Sequence, residues 1–258
     1  MRLIVLCLLS VTSPCHYEGT AYASSDGHVL YKEEHFRFED GNGVRTRLVL
    51  YRCPSGEPFA RKWVRDSPSD EAPDFELLDA RSGYREGVRS STQGREAFVQ
   101  SNRDAPLRMT PLPERANPVI DAGFDAFVSH HWSELGKPGK GQMAFVVPSR
   151  LGYLDMRIKS ATAEILDGEP VVRVRLGVAA WFGFIAPTID ITYASADHMV
   201  RRFVGIGNIP DASGGRQDVR IEFPLSGTHP APTSREIDRA RALPLSTRCA
   251  PVNTAPPG

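Results

Sequence analysis

Two adjacent histidines, His130 and His131, are the residues whose types first suggest chemistry, because imidazole can bind a metal or transfer a proton near neutral pH. Adjacent residues on a helix point about 100° apart, so both cannot comfortably hold one metal ion. Metal-binding helices place two histidines four residues apart, as in H-E-x-x-H, and this pair lacks that spacing. His131 also falls on an apolar helix face, which favours a hydrogen-bonded core residue. The sequence therefore predicts no metal site and no cofactor.

The sequence contains no spacing typical of a catalytic nucleophile, a phosphate-binding loop or a carboxylate pair. Ser149 does not occur in a G-x-S-x-G turn, and Gly205 and Gly207 precede no predicted helix. We therefore predict no catalytic residue, with one alternative, a hydrolase in which His131 or His35 acts with a nearby carboxylate or serine. That alternative requires two or more of five groups to lie within hydrogen-bond reach: His35, His131, His198, Asp125 and Asp155.

The four cysteines suggest an oxidising compartment rather than a redox or zinc motif. No C-x-x-C is present, and Cys7 lies in an N-terminal run expected to be removed on export. Cys53 and Cys249 are a possible disulfide, with Cys15 as a competing partner. The spacing alone does not decide between these pairings.

An apolar surface is the remaining candidate for a binding site. It could be an ordinary filled core, or it could line a cavity between a helix and a curved sheet. For the second case we predict that the ligand is contacted by Phe124, Phe127, His131, Trp132, Tyr153, Trp181 and Phe182.

A single amphipathic helix must position four of these side chains. The apolar period predicts this helix over residues 118–135, with Asn117 or Asp121 suited to start it and Gly136 to end it. Its apolar stripe consists of Ile120, Phe124, Phe127, Val128, His131 and Leu135.

Alternating apolar and polar residues predict strands on both sides of this helix, as in residues 44–51 and 171–176. Glycine-containing turns, such as residues 40–43, separate the strands. We therefore predict a mainly β fold, an antiparallel β-meander forming a curved sheet or half-barrel with one amphipathic helix packed on it. The formal net charge of the 258 residues is zero, so no nucleic-acid partner is expected.

We predict three segments along the chain. Residues 1–23 read as a signal peptide with a cleavage site between residues 12 and 23, the earlier cut being favoured because residues 17–23 could form the first arm of a hairpin. Residues 24–227 form a single β-rich domain. Residues 228–258 form a linker, a short helix with a capping box at Thr233 and Glu236, and a disordered tail unless Cys249 anchors it.

The N-terminal signal predicts a periplasmic or secreted protein. Membrane contact is expected only if Cys15 is lipidated, and Pro14 before it is unsuited to a lipidation motif.

Several strings of the sequence, LYKEEH, LVLYRCPSGEPFARK, DAGFDAFV..HW and PSRL, carry a resemblance to an uncharacterised family of exported bacterial β-proteins. The resemblance extends from about residue 17 to residue 223 and implies kinship without an activity. The predicted architecture also resembles, more loosely, the lipoprotein-carrier half-barrels of the periplasm. That likeness implies an apolar ligand and transfers no catalytic residue.

Three hypotheses follow from the sequence. The first is a periplasmic binding or carrier module for an apolar or acylated ligand, with a lipid or lipoprotein as partner. The second is the hydrolase based on His131 or His35. The third is a structural envelope protein whose exposed strand edges pair with another protein.

Overall fold

The computed structural model describes residues 15–179, 188–211 and 214–250. All the strands in these ranges belong to one large sheet. The strands are β1 Cys15–Ala23, β2 Val29–Glu39, β3 Arg45–Arg52, β4 Pro58–Pro68, β5 Pro73–Asp79, β6 Tyr84–Ser91, β7 Gly94–Gln100, β8 Arg108–Pro111, β9 Pro118–Ile120, β10 Gln142–Val147, β11 Gly152–Leu166, β12 Glu169–Val178, β13 Ile189–Ala194, β14 Val200–Ile206, β15 Asp218–Glu222 and β16 Thr228–His229. The helices are α1 Gly123–His130 and α2 Ser234–Ala242, with 3-10 turns at Trp132–Glu134, Pro148–Arg150 and Leu225–Gly227.

The sheet consists of two meanders that meet at β1. One runs from β2 out to β8, and the other runs from β15 back through β14 to β9. β1 pairs with β2 on one side and with β15 and β16 on the other. All pairs are antiparallel except β9 with β10, which is parallel. The sheet is curved and open, so the predicted mainly β half-barrel is confirmed.

Both faces of the N-terminal meander are covered by other parts of the protein. Successive residues of a strand point to opposite faces, so strands such as β3 bury consecutive residues. On the outer face, Ile237 and Ala240 of α2 pack on Phe36 and Leu48. The predicted capping box begins α2, with the Thr233 hydroxyl accepting from the backbone N–H of Glu236. The inner face carries a row of buried side chains across β2 to β6, paired from strand to strand: His35, Val49, Lys62, Leu77 and Glu86.

Side chains from the two ends of the curved sheet pack against each other, although the end strands do not pair. Val88 and Ala97 of β6 and β7 belong to the same apolar cluster as Ile120 and Val146 of β9 and β10. The backbone N–H of Ile120 donates to the carbonyl of Glu71, so β9 is also fixed to the loop before β5.

The helix is shorter than the prediction of residues 118–135. Pro118–Ile120 forms β9, and α1 occupies only Gly123–His130, followed by a 3-10 turn. Asn117 and Asp121 have positive φ angles of 48° and 44°, a left-handed conformation that interrupts a right-handed helix. Ile120 therefore belongs to a strand, although its spacing fits the apolar stripe.

The N-terminal and C-terminal segments both contribute strands to the sheet. β1 lies within the segment 1–23 predicted as a signal peptide, and Tyr17 and Ala21 are buried in the sheet. β16 lies just beyond the predicted domain end at residue 227 and pairs with β1. Cys249 is joined to Cys53, and Ser246 donates its N–H to the carbonyl of Pro58, so residues up to 250 are anchored.

Candidate functional site

The apolar side of α1 faces the C-terminal meander and is filled by protein side chains. Phe124, Phe127 and Val128 are each less than 5% exposed. They share a cluster with Met143 and Met156 of β10 and β11. Two of the predicted ligand residues, Phe124 and Phe127, therefore lie in the core between the helix and the sheet, where a ligand would have to displace them.

His131 ends α1 and is half-buried beside the same cluster. Its Nδ1 lies 2.9 Å from the carbonyl oxygen of Phe127, and its backbone N–H donates to the same oxygen. The ring stacks on the Phe127 ring with 4.4 Å between centroids. Its neighbour His130 is exposed and hydrogen-bonds Glu71 instead. The two histidines thus face different surroundings, as their spacing predicts.

Trp132 forms a stacked pair with His198 beside the core cluster of this meander. The ring centroids are 3.8 Å apart and the planes differ by 19°. The Trp132 ring also meets Tyr193 edge-on, and the hydroxyl of Ser129 lies 3.3 Å from Nδ1 of His198. Burial lowers the pKa of His198, which favours a neutral ring suited to stacking on the indole. The pair is half-buried and presents aromatic surface beside a polar edge.

A set of half-buried apolar residues packs against the core cluster of this meander, and we call it the apolar rim. It consists of Trp132, Leu135, Phe145, Leu154, Ala161, Val172, Ile189, Val200 and Phe203. The rim comes from the 3-10 turn after α1 and from β10 to β14. Of these residues, the sequence predicted only Trp132 as a ligand contact and Leu135 as part of the helix stripe, because the others are spread over distant strands that only the sheet brings together.

Tyr153, another predicted ligand residue, does not join the rim. Tyr153 is half-buried against a different cluster, the one that joins the two ends of the sheet. The guanidinium of Arg115 lies 5.7 Å from the centre of its ring, and burial raises the pKa of its hydroxyl. Trp181 and Phe182 lie outside the described residues. The structure thus brings together Phe124, Phe127, His131 and Trp132, and places Tyr153 elsewhere.

The inner face of the N-terminal meander contains buried polar groups that sequence analysis did not find. Lys62 donates to both carboxylate oxygens of Asp121, at 2.9 and 3.2 Å, and the amide of Asn208 donates to the same carboxylate. The Lys62 and Asp121 side chains are only 8% and 9% exposed. The partners come from distant parts of the chain, so no local spacing marks them.

Two further buried pairs lie on this face. Nε2 of His35 is 2.8 Å from Glu33, and burial lowers the pKa of His35. The Tyr84 hydroxyl donates to Glu86 at 2.6 Å, with Arg216 also donating to that hydroxyl. Burial raises the pKa of Glu86. Together with Lys62 and Asp121, these pairs form what we call the inner polar cluster, defined as Glu33, His35, Lys62, Tyr84, Glu86, Asp121 and Arg216.

The groups that the hydrolase alternative requires form no catalytic arrangement within the described residues. Among the described residues, no hydrogen bond joins any two of the five groups that it requires: His35, His131, His198, Asp125 and Asp155. Asp125 accepts from the Tyr193 hydroxyl, and Asp155 accepts from Arg115. Ser129 and His198 are in contact, but the adjacent carboxylate of Asp197 binds Arg201. A serine, a base and an orienting carboxylate are therefore not assembled there.

Cys53 and Cys249 form a disulfide, one of the pairings that the sequence left open. Cys53 is fully buried in the core of the N-terminal meander. In the described ranges, neither helix is long and apolar enough to span a membrane.

No protein-family model matches this sequence, and no curated protein matches it. A β-barrel-like protein of the domain of unknown function DUF1849 from Brucella abortus is 8% identical, with a TM-score of 0.47 and coverage of 83% of this chain and 96% of that one. A DUF1329 family protein from Desulfovibrio piger is 9% identical, with a TM-score of 0.21 and 83% of each chain covered. The Pseudomonas aeruginosa MucA/MucB complex gives 10% identity, a TM-score of 0.16, and coverage of 86% and 94%.

These similarities are too low to support a statement about function. The structure itself establishes a β-rich, curved and open sheet, which agrees with the fold implied by the resemblance. Membership of an exported bacterial family remains a prediction.

Proposed function

We propose that this protein is a binding module of the bacterial envelope for an apolar or acylated ligand, held at the apolar rim. The observation that supports the proposal is the half-buried Trp132–His198 stack, in which Trp132 belongs to the half-buried apolar rim. The deeper space between α1 and the sheet is occupied by Phe124 and Phe127, so the rim is the better place for a ligand.

The chemistry of the rim suits a molecule with an apolar chain and a small polar group. Covering half-exposed apolar surface contributes roughly 25 cal/mol per Å² of area removed from water. Ser129 and His198 supply a hydroxyl and an imidazole at the edge of the stack, where they could orient a carboxyl or ester group. A lipid or the acyl chain of a lipoprotein has both features.

An exported location accords with the disulfide, because such bonds persist mainly in oxidising compartments. We propose that the signal is cut before Cys15. β1 hydrogen-bonds with strands on both of its sides, and a cut after Ala23 would remove it from the sheet. An intact mass of the exported protein would test the cleavage site directly.

Ligand binding is tested by native mass spectrometry of the protein purified gently from the periplasm, followed by titration with a fluorescent fatty-acid probe. We expect a bound acyl mass, and a probe affinity that falls at least about tenfold in Trp132→Ala, because the largest apolar surface of the rim is lost.

Trp63→Ala is the matched control, since Trp63 is also half-buried but lies on the outer face near α2. Its probe affinity should equal that of the wild type. Two results together would contradict the proposal. The first is a native mass that shows the chain without a ligand, and the second is a probe affinity that is the same in Trp132→Ala as in the wild type.

A further inference from the structure

Two histidines and a glutamate converge on the outer face of β1, away from the apolar rim. His16 and Glu18 are two residues apart on β1 and so lie on the same face of the sheet. His229 of β16 is the direct cross-strand partner of His16. One potential ligand atom from each of the three residues lies within 4.8 Å of the other two.

The distances within this group resemble those between the ligands of a metal ion. Nε2 of His229 lies 3.3 Å from a carboxylate oxygen of Glu18. Ligands held at 2.0–2.1 Å around a tetrahedral Zn²⁺ ion are about 3.3 Å from one another. The same Nε2 is buried, and within the described part of the chain it makes no well-aligned hydrogen bond. A metal ion would give this nitrogen a partner.

The rings are also held in place by packing. The His16 ring stacks on Phe36 with 4.4 Å between centroids, and the His229 ring lies 4.7 Å from the His16 ring. β1 is fixed on both sides by backbone pairing. Two of the three side chains therefore start from restricted positions, which lowers the entropy lost on binding.

The charges around the two rings favour a cation. Nε2 of His16 lies 3.1 Å from Glu34, whose other oxygen is held by Arg52. Glu236 at the start of α2 also lies close enough to attract His16 electrostatically. Several carboxylates thus face two imidazoles.

We propose that His16, Glu18 and His229 bind a divalent transition-metal ion of the Zn²⁺ class. Two imidazoles and one carboxylate are a ligand set that Zn²⁺ uses, with a fourth position for water or a partner group. The ion links β1 to β16 and so stabilises the packing of the C-terminal segment on the sheet. This site is independent of the proposed binding at the apolar rim.

The test is calorimetric titration of untagged exported protein, stripped with a chelator, with ZnCl₂ alone. We expect one ion per chain, and an affinity at least about tenfold lower in His229→Gln and in Glu18→Gln. Zinc should raise the melting temperature of the wild type and not that of either variant. Titration with Co²⁺ should give the strong visible absorption of a four-coordinate ion in the wild type only.

His130→Gln is the control for adventitious surface binding. His130 also stands beside carboxylates, those of Glu71 and Asp70, but no second histidine faces it. Its zinc affinity and stoichiometry should equal those of the wild type. Equal zinc affinity in the wild type and in both site variants would overturn the proposal.

His229 and Glu18 are 39% and 49% exposed, so both site variants are expected to fold. Their melting temperatures without zinc should match that of the wild type. If His229→Gln does not fold, Glu18→Gln decides the outcome.

Discussion

The inner faces of the two meanders differ in chemistry although they belong to one sheet. In the N-terminal meander, β2 to β6 enclose the inner polar cluster, in which pairs such as Lys62 and Asp121 are buried. In the C-terminal meander, α1 packs on an apolar core that opens into the apolar rim. The N-terminal half thus combines its apolar core with buried polar pairs, whereas the core beneath α1 is almost entirely apolar.

This difference indicates where each half can tolerate change. A buried ion pair is sensitive to the loss of one partner, since the other charge is then left without compensation. An apolar core loses only contacts and volume when a side chain is shortened. The binding that we propose is therefore placed at the apolar rim, where an incoming chain leaves the buried ion pairs of the other half intact.

The largest effect is expected from Lys62→Met. This change leaves the Asp121 carboxylate buried without its cation and should lower the free energy of unfolding by about 3–5 kcal/mol. Urea denaturation measures the loss. Lys32→Met, on the exposed outer face of β2, should have almost no effect.

The double variant Lys62→Met, Asp121→Asn should recover much of the lost stability, because the Asp121 carboxylate that lost its cation is then replaced by a neutral amide. Asparagine also accepts the left-handed backbone at this position. If the double variant were as unstable as the single one, the buried charge would not be the cause.

In the apolar half, Met156→Ala should lower the free energy of unfolding by about 2–5 kcal/mol by leaving a cavity between α1 and the sheet. Met156→Leu keeps most of the volume and should change the stability by less than about 1.5 kcal/mol. Urea denaturation of both variants provides the measurement. Equal losses in the two would indicate that volume is not what matters at this position.

A smaller effect is expected from the pH dependence of stability at His35. Burial lowers the pKa of this ring, and the charges of Arg47 and Lys62 act in the same direction, while Glu33 raises it. The unfolded chain, with a histidine pKa of about 6.5, therefore binds the proton more readily than the folded one. The stability contributed by neutral His35 is present above this pH and is lost as the pH falls below it.

Urea midpoints measured from pH 8 to pH 5 should thus fall more steeply for the wild type than for His35→Gln. His28→Gln, on an exposed turn, should follow the wild-type curve. Parallel curves for the wild type and His35→Gln would contradict the assignment.

The fold class could be predicted from the sequence because alternating apolar and polar residues indicate a strand within a few residues. Residues 44–51 alternate clearly, and they lie largely in β3. The length of α1 was not predictable in the same way. Asp121 has a left-handed backbone, which separates Ile120 from α1, and its side chain pairs with Lys62. Lys62 is far away in the chain, so no local pattern indicates this contact.

The site was harder to predict than the fold. Alternation shows that a strand has two faces, but it cannot show which face is inside when α2 covers the other one. Glu33 and Lys62 therefore resemble solvent-facing residues in the sequence. The apolar rim collects one or two residues from each of six elements, and only the pairing of distant strands brings these elements to one core cluster.

The position of β1 has a consequence for the order in which the chain can fold. β1 lies near the start of the chain, but one of its edges is completed by β15 and β16, near the other end. A chain that emerges with its N-terminus first can form the β1–β2 hairpin early. It cannot join its two meanders until residue 222 has followed, and such distant pairings form slowly. Each meander pairs strands that are neighbours in sequence, but the single continuous sheet that joins them is complete only when nearly all of the chain has emerged.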